Sequence, residues 1–111
     1  MSKFFKKGKW QIMRIGVLKE IKENEFRVGI VPSGVDALVK HGHEVYIEKD
    51  AGVGSGISDE EYKSAGAIIL NTAREIYKMA EMVIKVKEPL ESEYELFQKG
   101  QIIFTYLHLA A

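Results

Sequence analysis

The chain has 111 residues, 46% of them hydrophobic, with 16 basic and 16 acidic side chains and no cysteine. That is one domain's worth of chain with material for a core, and its formal charge of zero gives no reason to expect nucleic acid or an anionic membrane as partner. Disulfides, thiolate nucleophiles and cysteine-ligated metals are excluded, no apolar run approaches the ~20 residues of a membrane span, and a reducing, cytoplasmic setting fits.

Residues 1–12, MSKFFKKGKWQI, hold four lysines, three aromatics and no acid. They lack the long apolar run of a signal peptide and read as a basic, disordered tail, with Met13 as a natural beginning of the folded part. Arg14 to Leu18 is a short apolar run suited to a buried strand. The charged stretch from Lys19 to Arg27 reads as a surface loop. Ser33 suits the N-cap of a first helix, with Asp36 at capping-box spacing, Val35, Leu38 and Val39 as its apolar stripe, and Gly42 as its stop.

Glu44 to Glu48 follows as a strand, then the glycine loop Ala51 to Gly56. Ser58 with Glu61 predicts a second helix, stapled by Ile57 and Tyr62 and ended by Gly66. Ala67 to Leu70 is a strand. Thr72 with Glu75 predicts a third helix, with Ile76, Met79 and Ala80 facing inward. Met82 to Lys87 is a strand, in which Lys85 reads as alternating outward. Pro89 suits the entry of a fourth helix, with Leu90, Tyr94 and Phe97 on one face, acids in its first turn and Gly100 as its stop. Gln101 to Leu107 is the last strand. Strands alternating with short helices predict an α/β fold: an open, mainly parallel sheet with helices on both faces, Rossmann-like or flavodoxin-like, in a single domain.

In such a sheet, ligands bind beyond the carboxyl ends of the strands. Arg27 in the first loop, Lys87 at the end of the fourth strand and His108 past the fifth therefore fall at one rim. Arg27 can clamp a small carboxylate, Lys87 can polarise a carbonyl, and His108 can move a proton near neutral pH. Each also has a plainer reading. A lysine at a strand end can be a solvated charge, and His108 in LHLAA can be a packing histidine with a hydrogen-bond partner.

His41 and His43 flank a helix end without further ligands, so no metal site is expected. Gly52-x-Gly54-x-Gly56 departs from the dinucleotide fingerprint, because its third glycine comes one residue early. The helix behind it opens on Asp59, Glu60 and Glu61, which would repel a phosphate. The loop reads as a flexible connection, and no cofactor-binding residue is assigned.

The segments IGVLKEIKENEFRVGIVPSGV, GHEVYIEKDAGVGSGISDEEYKSAGA, EMVIKVKEPL and FTYLHLAA resemble the amino-terminal part of the alanine dehydrogenases, a family shared with the nicotinamide nucleotide transhydrogenases. The resemblance runs from Met13 to Ala111, and Lys87 and His108 point to the alanine dehydrogenase branch. It implies a substrate-binding domain over residues 13–111 for the oxidation of L-alanine by NAD to pyruvate and ammonia. Arg27 and Lys87 match the family's substrate-binding residues, and His108 matches its catalytic histidine.

Family members are expected to run to about three times this length, with a separate NAD-binding domain, a catalytic aspartate and returning helices. The domain is therefore expected to be incomplete, to be inactive alone and to bind no NAD tightly. Its ligand is expected to be pyruvate or L-alanine, and it is expected to form homo-oligomers or to associate through an uncovered sheet face. Two alternatives stand beside this. One is a non-catalytic module binding a small 2-oxo or amino acid. The other is a transhydrogenase-type domain that associates with a separate cofactor-binding chain.

Overall fold

A computed structural model describes residues 5–6, 9–10, 12–21 and 25–106. Near the amino terminus, Phe5–Lys6 and Lys9–Trp10 form a two-rung antiparallel pair. The remainder is built on five parallel strands: β1 (Arg14–Val17), β2 (Glu44–Glu48), β3 (Ile68–Leu70), β4 (Met82–Lys85) and β5 (Ile102–Thr105). Their order across the sheet is β3-β2-β1-β4-β5. The first strand is thus central, with β2 on one side and β4 on the other. Among the described residues no helix is long and apolar enough to cross a membrane.

Each face of the sheet buries its own core. Helices α1 (Pro32–Lys40) and α2 (Asp59–Ser64) cover one face, where Val17, Val35, Val45, Ile47 and Tyr62 are fully buried or nearly so. Helix α3 (Ala73–Met79) covers the other, with Leu18, Tyr46, Ile76, Tyr77 and Val83. Val45 and Ile47 go to one side and Tyr46 to the other, the two-residue alternation of a strand. The expected α/β sheet with helices on both faces is what the chain forms.

The capping residues of α2 and α3 are those the sequence indicates. Ser58 accepts from the Glu61 amide while Glu61 accepts from the Ser58 amide, and Thr72 accepts from the Glu75 amide. Tyr62 is fully buried with Ile57 packed against its cluster, as a staple requires.

Three expectations are corrected. The N-cap of α1 is Val31, extended at φ −103° and ψ 165°, not Ser33. Pro32 takes the first helical position, where its fixed φ and missing N–H fit, and so moves the cap forward. The helix expected after Pro89 is a 3₁₀ segment, Glu91–Leu96, in which Tyr94 is 57% exposed and Glu93 is buried. The Glu93 carboxylate is drawn inward by the Leu90 amide and the Tyr77 hydroxyl, which turns Tyr94 out to solvent. In α3 the residues that face inward are Ile76 and Tyr77, with Ala80 just beyond, while Met79 is 39% exposed.

Candidate active site

The loops after β1 and β4 meet at the carboxyl edge of the sheet. Glu20 follows β1 and is buried; one of its oxygens accepts from the Val86 amide at 2.9 Å and the other from the Lys87 amide at 3.2 Å. The Lys85 ammonium lies 3.5 Å from Glu20 and 3.6 Å from Glu93, all three side chains being nearly inaccessible. Lys85 therefore does not alternate outward to solvent. It points to the face covered by α3 and is paired there, as a buried ammonium must be. Tyr77 completes the group by donating to Glu93 at 2.9 Å. Burial, with the Glu93 carboxylate behind it, holds the Tyr77 phenol well above its ordinary pKa. No described buried side-chain polar atom lacks a partner.

Arg27 and Lys87 are brought together on one carboxylate. Arg27 donates to both oxygens of Glu25, from Nη2 at 2.9 Å and Nε at 3.0 Å. The Lys87 ammonium lies 3.8 Å from the same Glu25 oxygen that Nη2 reaches. The hydrogen bond from Arg27 holds the Glu25 carboxyl below its usual range, against a smaller opposing effect of burial. The same contact raises the Arg27 pKa further. Arg27 is mostly exposed, whereas Lys87 is largely covered. His108 lies outside the described residues.

A cleft of about 460 Å³ opens beside this pair, lined by Lys19, Glu20, Glu25, Phe26 and Arg27 on one side and by Asp50, Ala51, Val53 and Gly54 on the other. Its size suits a small molecule. Lys87 does not line it and reaches it by way of Glu25.

The glycine loop forms the far wall. It is a 3₁₀ turn, Val53–Ser55, and not a slack connection. Ser55 donates to the Phe26 carbonyl at 2.7 Å. A Cβ on Gly54 would lie 3.0 Å from that oxygen and 3.2 Å from the Phe26 Cα. Glycine is needed there because the Arg27 loop runs against it, a role that spacing alone did not disclose.

The helix that follows the glycine loop does not suit a phosphate: Asp59, Glu60 and Glu61 fill its first turn, and its Glu61 amide is taken by Ser58. The described residues do not gather three or more His, Cys, Asp or Glu side chains that could hold a metal ion. His41 bonds the Ala37 carbonyl, and His43 accepts from the Met13 amide through Nδ1.

Sequence reasoning did not single out Glu20, Glu25, Glu93 or Tyr77. One signal was available. A lysine inside Met82-Val83-Ile84-Lys85-Val86 sits in an apolar run of the kind that forms a strand buried on both faces, so its charge requires buried acids elsewhere.

The sequence profile described as "Alanine dehydrogenase/PNT, N-terminal domain" matches residues 16–111. An alanine dehydrogenase of Methanococcus maripaludis is 68% identical over 98 residues, covering 88% of this chain and 26% of its own. That of Geobacillus stearothermophilus is 59% identical over 100 residues, covering 89% and 27%. Among solved structures, an L-alanine dehydrogenase superposes with a TM-score of 0.83 at 56% identity, over 87% of this chain and 27% of that one. A transhydrogenase from Sinorhizobium meliloti superposes with a TM-score of 0.78 at 31% identity, over 85% and 28%. The chain thus spans about a quarter of the length of the relatives it matches. On its sequence, its fold and the extent of these matches, the chain belongs to the alanine dehydrogenase/PNT family and corresponds to its N-terminal domain.

Proposed function

We propose that this chain is the substrate-binding part of an L-alanine dehydrogenase, taking pyruvate or L-alanine at the Arg27–Lys87 edge of the sheet. The observation that carries the reading is the convergence of these two cations, distant in sequence, on the single carboxylate of Glu25. A guanidinium that already grips a carboxylate through two N–H groups offers the same fork to a substrate carboxylate. Lys87, beside it, directs its ammonium at the 2-oxo oxygen, where positive charge stabilises the electron density that gathers there in the reaction. His108 takes or returns the proton at that oxygen, a role supported by the family resemblance.

In the whole reaction, L-alanine, water and oxidised NAD give pyruvate, ammonia, reduced cofactor and a proton in the cytoplasm. No hydride step is assigned to the described residues, and on this reading the chain alone is inactive. Two copies associate through the outer part of the sheet, where Phe104 and Tyr106 are about half exposed.

Calorimetric titration of the chain with pyruvate tests the site. Saturable binding that weakens at least about tenfold in Arg27→Ala is expected, as loss of a charge-assisted pair requires. Binding indifferent to that change would overturn the assignment. Mixing the chain with L-alanine and NAD should give no reduction of the cofactor, and turnover would overturn the claim of inactivity.

A further inference from the structure

Buried charges lie at the base of the site, with Lys85 standing between Glu20 and Glu93. A buried ion pair is often no better for stability than well-packed apolar residues of the same size. What the carboxylates supply, and apolar groups could not, is a grip on backbone N–H groups. Glu20 accepts from the amides of Val86 and Lys87. Glu93 accepts from that of Leu90. Lys85 lies between the two acids, and Tyr77 anchors Glu93 to the helix layer. The segment from Val86 to Leu90, which carries Lys87, is thus fastened at both ends. Glu20 itself stands on the chain that runs on to Glu25 and Arg27. It lies in the crevice between the central strand β1 and its neighbour β4, where the sheet order reverses and ligands of open α/β sheets bind.

We propose that Glu20 is a positioning residue for the carboxylate site, acting through Lys87: by holding the Val86 and Lys87 amides from the loop that bears Arg27, it sets the distance between the two cations. The inference rests on the proposed pyruvate site and concerns how that site is kept in register. In Glu20→Gln the side chain keeps its shape, but one acceptor oxygen becomes an NH2 group facing a backbone donor. One of the two grips is lost and Lys87 is released from its place.

The test is a double-mutant cycle on the 111-residue chain, read by pyruvate titration. It compares wild type, Glu20→Gln, Lys87→Ala and the double variant, with Arg27→Ala as control. Glu20→Gln is expected to weaken pyruvate binding about tenfold and to speed hydrogen exchange at the Val86 and Lys87 amides. Once Lys87 is alanine, the further loss from Glu20→Gln should vanish. A structural role alone would give losses that multiply, and that result overturns the inference while leaving the site intact. Unchanged affinity in Glu20→Gln overturns it as well. If Lys87→Ala and Arg27→Ala both bind pyruvate like wild type, the site itself is wrong and the inference falls with it. Should Glu20→Gln not fold, Glu20→Asp keeps the charge beside Lys85 while withdrawing the carboxylate from the two amides. It is expected to show the same dependence on Lys87, and independent losses there overturn the inference equally.

Discussion

Glu25 is a carboxylate that the two candidate site cations already hold, Arg27 by two hydrogen bonds and Lys87 at 3.8 Å. A substrate carboxylate must therefore compete with it. The Glu25 side chain is nearly inaccessible, but Arg27 is mostly exposed and water screens its side of the pair, so Glu25→Gln is expected to tighten pyruvate binding about twofold to fivefold; a titration showing weaker binding would mean that Glu25 orients Arg27 and does not oppose the ligand. The pH dependence has a definite sign. Arg27 depresses the folded pKa of Glu25, so the pair contributes stability above the unfolded pKa. That contribution is lost as pH falls through the lower folded value. Acid unfolding of the wild type should then show a component absent from Glu25→Gln. Arg27 and Lys87 were legible as candidates because strand ends gather at one rim. Glu25 was not, since one acid among several in a charged loop carries no mark of which cation it meets. Lys85 was misread because the alternation of a strand settles which face a side chain takes, not whether a helix covers that face.

At the scale of elements, the strands and the caps of α2 and α3 were legible because they rest on local chemistry. The Ser58–Glu61 box closes within one turn, and Ser58→Ala is expected to cost about 1 kcal/mol, measurable by urea denaturation. Helix α2 also reaches the floor of the site loop, where Tyr62 donates to the Ile30 carbonyl at 2.7 Å and its phenol is pushed up to about 12 by burial. The start of α1 was misplaced by two residues because Pro32 outweighed a good capping serine. The 3₁₀ segment was beyond local reasoning, because Glu93 is turned inward by groups on β4 and α3. The glycine loop belongs to this scale too. Gly54→Ala would press its methyl on the Phe26 backbone, an overpacking cost of about 1–2 kcal/mol. Because that load falls on the loop bearing Arg27, weaker pyruvate binding together with a Tm lowered by about 4–8 °C per kcal/mol is the expected outcome. A fall in Tm with binding intact would show the core yielding in place of the loop.

Across the whole molecule, the two halves of the sheet differ in how well they are covered. The helices α1 and α2 lie over β2 and β3, whereas Phe104 on β5 is 52% exposed and packs edge-on against Tyr106. Strand β5 is also an edge of the sheet, and an edge strand with exposed aromatics invites pairing with another chain. Light scattering should therefore show association rising with concentration and reduced in Phe104→Lys; a monomer in both would remove this surface from consideration. The sheet order has one more effect, on timing. Strand β1 is made first but sits at the centre, and Glu20 waits 67 residues for the Lys87 amide. During synthesis the β1–β2–β3 half with α1 and α2 can form as soon as Leu70 is available, leaving one side of β1 and the acid of Glu20 open until β4 arrives. Long-range parallel pairing of this kind is slow. A stalled nascent chain ending before Met82 would thus be compact yet unable to hold a carboxylate, and the gain of binding would mark the addition of β4 and the segment behind it.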